Sequence, residues 1–362
     1  MRIAVIYNDP GKTPAGEHWL ARSSNRVPPS GVVRDESEYG VLGEVSLIAG
    51  ALRERGHEAQ VFAANHVARL TTFLSTERPD AIFNCCESFL GRAALEMSVA
   101  GLFDLFEIPY TGSSSLTLGL ALNKGMAKTM LRAHGINTPS HVVVRHAAQL
   151  ATLAPLVYPQ IVKPLCEDAS VGIDAAAVVG NAHDLAQRVR FVLREFQQPA
   201  IIEEFIDGRE LNVSLLATSP SDFETLPISE IRFDGLSQGL PRIVTYEAKW
   251  LQESEYYQST NSECPALLDE PLAQRLRDTA VAAANALGLR DYGRVDFRIR
   301  NGDKAVFVLE VNPNPDLNDD AGFLRAAQAS GRSYESTVCE ILDRCLERSC
   351  KTLATSSPGI VN

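Results

Sequence analysis

The sequence predicts an α/β protein of three domains, and three observations carry that prediction. The chain has 362 residues, which at roughly 100–200 residues per domain gives two or three cores. It opens on a β-branched run, Arg2-Ile-Ala-Val-Ile-Tyr7, that enters Asn8-Asp9-Pro10-Gly11 as a buried strand enters a loop. Strand-like and helical patterns then alternate, the rhythm of layered sheet-and-helix folds. With 45% hydrophobic and 22% charged residues, the composition is that of a folded soluble chain rather than a disordered or membrane one.

The elements follow in order. Residues 10–38 are rich in Pro, Ser, Gly and charge and form a long polar connection. Between Glu44 and Arg55, Val45, Leu47, Ile48, Ala51 and Leu52 recur at helical spacing, and Gly56 suits the position just past the helix end. Strands at 58–63 and 81–85 complete a βαβ unit that Ile108-Pro-Tyr-Thr-Gly-Ser113 closes, so residues 1–112 are expected to form a Rossmann-like first domain. The second domain, 113–206, holds helices at 123–134 and 182–196 and strands at 140–145, 160–163, 175–179 and 200–205. The turn Ile206-Asp207-Gly208 leads into the third, 207–350, where strands at 209–217, 225–232, 293–300 and 305–311 surround a helix at 272–287. Residues 351–362, mostly small or polar, are expected to form a flexible tail.

Charge and cysteine usage exclude several functions. The 34 Lys and Arg against 45 Asp and Glu leave a formal charge of −11, which repels a phosphate backbone and argues against nucleic acid as a partner. Seven cysteines form no CxxC pair and no zinc spacing, so they are expected to be reduced thiols. The amino terminus is too short in apolar residues for a signal peptide, and no apolar stretch approaches ~18 residues. The expected compartment is a bacterial-type cytoplasm, with no membrane partner.

GxxxxGK[ST], GxGxxG after a strand and HExxH are all missing. One GxSxG match, Gly235-Leu-Ser237-Gln-Gly239, joins two strand-like runs, 225–232 and 242–246, and reads as a hairpin loop, because a nucleophile elbow needs a strand-to-helix turn. More informative are Asp296-Phe-Arg-Ile and Val308-Leu-Glu310-Val-Asn312, which look like adjacent strands. Residues at i and i+2 share a strand face, so Glu310 and Asn312 point the same way. Two carboxylates and an amide oxygen suit Mg²⁺; a solvated sheet face is the plain alternative. Gln160-Ile-Val-Lys163-Pro ends a strand in a lysine, before a small-residue loop, Leu165 to Gly172 with Ser170 in it, able to turn backbone N–H groups toward phosphate. Ile201-Ile-Glu203-Glu204-Phe205-Ile206, with Glu210 four residues on, can supply an apolar slot, backbone edges and a carboxylate for ribose hydroxyls. Standing alone, it is an ordinary strand, turn and strand.

In chain order, Asn123-Lys124, Val162-Lys163-Pro164, Glu203 to Glu210, Tyr246-Glu-Ala-Lys249-Trp250, Gly293-Arg294-Val-Asp296 and Leu309-Glu310-Val-Asn312 resemble the ATP-grasp superfamily, and within it the D-alanine:D-alanine ligases. The likeness runs from about Glu44 to Leu346, and the ordered series is specific although each motif is weak. It implies a three-domain ATP-grasp architecture, with ATP bound between the central and C-terminal domains. It implies that Lys124 and Lys163 contact ATP phosphates, that Glu203, Glu204, Phe205 and Ile206 border the adenine, and that Glu210 binds ribose. Lys249 is expected over the γ-phosphate, and Asp296, Glu310 and Asn312 around two Mg²⁺ ions, or Mn²⁺ in their place. Arg294 is expected to face the oxyanion of a tetrahedral intermediate, with a salt bridge to Asp296 or Glu310 as the structural alternative. In such enzymes a carboxylate attacks the γ-phosphate to give an acyl phosphate, and an amine then displaces phosphate. The partners are thus a small-molecule carboxylate and an amine, and the family suggests a homodimer. Residues 242–264, with Tyr246, Trp250, Tyr256 and Tyr257, look like a loop that closes over the intermediate; a surface aromatic cluster is the alternative.

The chain also departs from those ligases. Glu44 lies where they hold the first substrate's ammonium, or else it is a helix-start carboxylate. Trp250 replaces the usual Tyr, and Asp168-Ala169 replaces Gly-Ser in the phosphate loop, leaving Ser170 as its only hydroxyl. After Asn312 the chain reads Pro-Asn-Pro-Asp316-Leu-Asn-Asp319-Asp320-Ala-Gly, where the ligases present small and hydroxyl residues to the second alanine's carboxylate. Three aspartates there would repel a carboxylate and favour a cationic acceptor, unless they cap a helix at 321–329. The sequence therefore points to an ATP-dependent carboxylate–amine ligase acting on substrates other than two D-alanines. A true D-alanine:D-alanine ligase, an ATP-grasp phosphotransferase and a nucleotide-binding module without turnover are the alternatives.

Overall fold

The structure is a computed structural model and describes residues 1–9, 35–219 and 221–356. Most of the polar connection expected at 10–38 lies outside the described residues, and its last four already belong to helix α1. Strand β1 (Arg2–Tyr7), helix α1 (Asp35–Glu54), strand β2 (Glu58–Ala63), helix α2 (Val67–Thr76), strand β3 (Ala81–Cys85) and helix α3 (Glu96–Leu105) build the first layer. The strands pair in the order β2-β1-β3, all parallel, because each connection crosses over through a helix. Alternate residues of β1 serve the two faces. Ile3 and Val5 meet Val45, Ile48 and Leu52 of α1, while Ala4 and Ile6 meet Leu70 and Leu74 of α2 and Phe103 of α3.

Helices α4 (Ser115–Leu122) and α5 (Lys124–Ala133) are each capped by a polar side chain: Ser114 Oγ accepts from Thr117 N and Asn123 Oδ1 from Met126 N. Strands β4 (His141–Val144), β5 (Gln160–Pro164) and β6 (Val178–Val179), helix α6 (Ala182–Glu195) and strand β7 (Ala200–Glu204) follow. They form an antiparallel sheet in the order β4-β7-β5-β6. The strand expected at 175–179 shrinks to two residues, since Ala175–Ala177 wind into a 3-10 turn. Leu185, Val189 and Val192 of α6 cover Val144, Val162 and Ile202.

The third sheet uses β8 (Gly208–Ala217), β9 (Phe223–Thr225), β10 (Ser229–Arg232), β11 (Asn261–Glu263), β12 (Tyr292–Arg300) and β13 (Val306–Asn312). Its order is β11-β10-β8-β12-β13, with β9 beside β8. The single strand expected over 225–232 is two, interrupted around Pro227, which has no N–H to give a ladder. The run 242–246 is not a strand either. It leads into the short helices α7 (Tyr246–Trp250) and α8 (Glu255–Ser259), so the Gly235–Gly239 stretch lies in the long connection between β10 and its partner β11. Helix α9 (Glu270–Leu287) packs Leu276, Ala280, Ala283 and Leu287 against Leu211, Val213 and Leu215 of β8. That leaves Glu210, Asn212 and Ser214 for the opposite face.

Helices α10 (Gly322–Ala329) and α11 (Tyr334–Ser356) end the described chain. Phe323, Val338, Ile341 and Leu342 enter the same core as Val5, Val45 and Ile48, so the last helix returns to the first sheet. It runs to Ser356, past Lys351 where a tail was expected; residues 357–362 of that tail lie outside the described residues.

Between the second and third sheets, Gly208 is held against strand β12 so closely that a Cβ would stand 1.8 Å from the carbonyl oxygen of Ile299. Gly208→Ala should therefore lower stability by on the order of 3 kcal/mol, the upper range for overpacking where backbone must move. Urea unfolding within 0.5 kcal/mol of wild type would show that the two strands are not locked at this point.

Candidate active site

Register builds the site. On the third sheet Asp296 faces Glu310 and Arg294 faces Asn312 across β12 and β13, and Asn212 faces Asp296 across β8. Residues directly opposite on paired strands project to one side, so one polar patch forms. Arg294 donates from Nε and Nη2 to the two oxygens of Asp296 at 2.7 and 2.8 Å, and Asn312 Nδ2 donates to Asp296 Oδ2 at 3.0 Å. The salt bridge weighed for Arg294 is thus present, while its Nη1 makes no hydrogen bond among the described residues. Lys124 donates to the carbonyl of Glu167 and lies 4.0 Å from Glu310 Oε2. Burial alone would raise the Glu310 carboxyl, but Lys124, Lys163, Lys249 and Arg294 together hold it well below the usual carboxylate range. Four expected phosphate or oxyanion contacts therefore surround one of the expected metal ligands.

The second sheet supplies a carboxylate held between two lysines. Glu203 is buried, with Lys163 Nζ at 3.0 Å from Oε2 and Lys128 Nζ at 3.2 Å from Oε1. Burial alone would raise its carboxyl, and the two lysines bring it down to about 2. The Glu203 side chain thus aligns two lysines. Lys128 also donates to the carbonyl of Leu309 at 2.7 Å, and burial outweighs Glu203 to lower its ammonium to about 8. Lys128 was not singled out by motif; its signal is position i+4 from Lys124 on the same helix. Glu204 accepts from Ser140 Oγ at 3.3 Å and pairs with Arg300 at 3.4 Å. Phe205 packs with Ile161, Ala177 and Ile243, and Ile206 is buried. Glu210 pairs with Arg298, a second residue the motif reading missed. Arg298 also donates to the carbonyls of Ile206 and Gly208, each at 3.3 Å, and to that of Arg242. It ties the turn between the sheets to the start of the closing loop.

That loop lies down on the phosphate loop. Ala169 (φ 51°) and Ser170 (φ 60°) adopt the left-handed conformation without being glycine, a strain that packing must hold. Ser170 Oγ donates to the carbonyl of Val244 at 3.0 Å, Trp250 Nε1 to that of Ala169 at 3.3 Å, and Tyr246 N to that of Ile173 at 2.9 Å. Tyr246 and Tyr256 are buried and only Tyr257 is exposed, so the aromatic residues are not a surface cluster.

Glu44 sits within α1, not at its start, and is buried against Leu317 N. Burial, then Asp316 and Glu87, push its carboxyl well up. Asp316 Oδ1 accepts from Asn318 N and Nδ2, both at 2.8 Å, and Nδ2 reaches the carbonyl of Gly40 at 3.5 Å, tying this loop to α1. Asp319 and Asp320 are exposed. They do not cap a helix: the cap of α10 is Ala321, with no side-chain bond. The structure thus brings Asp316 to Glu44 and leaves the other two aspartates to solvent. A buried Glu96, unmarked by any motif, accepts from Asn314 Nδ2 at 3.3 Å, and burial, then Asp168, raise it well above its ordinary value.

Among the described residues no three His, Cys, Asp or Glu side chains group to hold a metal ion. The donor set Asp296, Glu310 and Asn312 nevertheless fits a hard cation that shares its oxygen ligands with phosphate. All seven cysteines are free, and no helix of the described residues is long and apolar enough to cross a membrane.

The profile of the family described as "D-ala D-ala ligase C-terminus" matches residues 130–343. The chain belongs to the D-alanine:D-alanine ligase family. As an ATP-grasp ligase of that family it is 31% identical to the D-alanine–D-alanine ligase of Ralstonia pickettii, over 82% of this chain and 86% of that one. It is 34% identical to the uncharacterized protein y4sG of Sinorhizobium fredii, over 82% of this chain and 85% of that one. Its fold matches the D-alanine–D-alanine ligase of Bacillus anthracis at a TM-score of 0.74 and 22% identity, covering 97% of this chain and 99% of that one. The same enzyme complexed with ATP gives a TM-score of 0.71 at 20% identity, with the same coverage.

In this ligase Glu203→Gln should cost on the order of 3–5 kcal/mol, the range for breaking a buried ion pair, because two lysines lose their counter-charge. The folded-state carboxyl lies below its unfolded value, so its contribution is present above about pH 4.3 and fades as pH falls toward 2. Urea midpoints should differ widely at pH 7 and clearly less at pH 3; a constant gap would detach Glu203 from this role.

Proposed function

We propose that this chain joins a carboxylate to an amine through an acyl phosphate at the expense of ATP, on substrates other than two D-alanines. The placing of Lys124, 4.0 Å from Glu310 Oε2, beside the strand pair that presents Arg294, Asp296, Glu310 and Asn312 on one face carries the reading, since cations set next to oxygen ligands suit a polyphosphate and the metal it shares. Lys124 and Lys163 bind the phosphates and Lys249 approaches from the closing loop. Phe205 and Ile206 supply apolar walls for the base, with Glu203 and Glu204 on the same strand end, and Glu210 takes the ribose. Asp296, Glu310 and Asn312 would hold two Mg²⁺ ions, which neutralise charge on the transferring phosphoryl group. Arg294 turns Nη1 to the oxyanion while Asp296 fixes its plane. Ser170 and Trp250 hold the phosphate loop and the closing loop together, and that contact excludes water from a hydrolysable acyl phosphate.

Glu44 anchors an ammonium on the first substrate. Asp316 stands beside it where an acceptor's carboxylate would otherwise go; with Asp319 and Asp320 exposed, any preference for a cationic acceptor rests on Asp316. Two unit charges about 4 Å apart at an effective dielectric near 20 interact by roughly 4 kcal/mol before desolvation losses. A coupled ADP-release screen over pairs of amino acids and amines, with product masses, tests the reading. Amide products from a pair other than two D-alanines support it. D-alanyl-D-alanine as the main product, or a phosphorylated product, overturns it.

Two variants test the machinery. MgATP should raise the melting temperature of wild type, by about 2.7 kcal/mol of stability at a hundredfold excess over the dissociation constant, and Lys163→Ala should abolish that rise. Glu310→Gln should lower ADP release on the order of 10²-fold or more. No thermal response of wild type to millimolar MgATP would end the nucleotide assignment, and near-normal turnover of a folded Glu310→Gln protein would remove that residue from the phosphoryl site.

A further inference from the structure

Among the described residues, three buried polar atoms on the third sheet have no hydrogen-bond partner: Asn212 Oδ1, Ser214 Oγ and Ser229 Oγ. Their residues are 7%, 0% and 1% exposed. Ser229 faces Asn212 across β10 and β8, Asn212 faces Asp296, and Ser214 faces Arg294. All three therefore lie on the face that carries the catalytic arginine. The first residue of α10 lies over Asn212 and carries no side chain: a Cβ on Gly322 would be in ordinary contact with Asn212 Oδ1 at 3.9 Å and with Arg294 Nη1 at 4.0 Å. The bare oxygen of Asn212 and the free Nη1 of Arg294 thus both border Gly322, at the end of the loop that begins with Asp316.

Packing does not account for this choice of residues. A buried polar atom without a partner is destabilising, whereas an apolar side chain of the same size is not. The other face of β8 shows the apolar solution in Leu211, Val213 and Leu215. A ligand that brings a donor to Asn212 Oδ1 removes the penalty.

We propose that Asn212, with Ser214 and Ser229 beside it, receives an N–H or O–H group carried by the second substrate. The acceptor is then an amine with a further hydrogen-bond donor, and D-alanine, whose methyl leaves these oxygens bare, is a poor one. The proposal rests on the ligase reading and names the acceptor class within it. A site built to hydrogen-bond such a group discriminates strongly against an analogue that lacks it.

The test is an acceptor panel of D-alanine, D-serine, D-asparagine, 2,3-diaminopropionate and ethanolamine, each given with the first substrate identified by product mass. Wild type should favour a hydroxyl-, amide- or amine-bearing acceptor over D-alanine. In Asn212→Leu, kcat/KM for that acceptor should fall on the order of 10²-fold, D-alanine should be largely unaffected, and the melting shift with MgATP should persist. Should Asn212→Leu fail to fold, Asn212→Thr and Ser214→Ala are read in the same way, with a smaller loss expected. A purely structural role would change the melting temperature and leave the ratio between acceptors as in wild type, which overturns the proposal. D-alanine as the best wild-type acceptor overturns it as well. A wild type that responds to MgATP yet joins no amine overturns the ligase reading, and the proposal with it.

Discussion

Everything in this site depends on keeping several cations close together. Lys124, Lys128, Lys163 and Arg294 repel one another, and burial makes that repulsion worse. The fold answers with carboxylates that serve as fixed counter-charges: Glu203 between Lys128 and Lys163, Asp296 clasped by Arg294, and Glu310 near Lys124. Glu203 and Asp296 also aim their partners, because a lysine or arginine side chain held at its charged end keeps few rotamers. The arrangement is costly to desolvate, which is acceptable where the geometry of charge matters more than stability.

The sheets supply this geometry through two periodicities. Along β12, alternate residues Arg294, Asp296 and Arg298 fall on one face, and their cross-strand partners on β8 and β13 extend the row sideways. One end of the row, Arg294 and Asp296, is where the proposed phosphate and oxyanion contacts lie. The other end, through Arg298, holds the turn at Ile206–Gly208 and the entry to the closing loop. The turn between the sheets, the entry to the 242–264 loop and the Arg294–Asp296 pair are thus tied to neighbouring positions on one strand.

Much of this was legible in the sequence where periodicity is strong. Strands β1, β3, β5 and β8 and helices α5, α6 and α9 lie within a residue or two of their predicted limits, because alternation, caps and terminal glycines mark them locally. The interrupted strand around Pro227 was readable in principle, since a ladder cannot use that nitrogen, yet the flanking apolar residues masked it. Lys128, Arg298 and Glu96 were not legible. Nothing in a one-dimensional pattern distinguishes a solvated Lys or Glu from one that tertiary contacts will bury. For the same reason Asp316, Asp319 and Asp320 looked equivalent, and only the path of the loop separates the first from the other two.

The return of α11 to the first sheet sets the order in which this chain can be completed during synthesis. Val45, Ile48 and Leu52 on α1 share their core with Val338, Ile341 and Leu342, which leave the ribosome almost three hundred residues later. The amino-terminal layer must wait with an apolar helix face uncovered while the second and third sheets are made. Loss of the last helix by early termination would therefore harm the part of the protein made first.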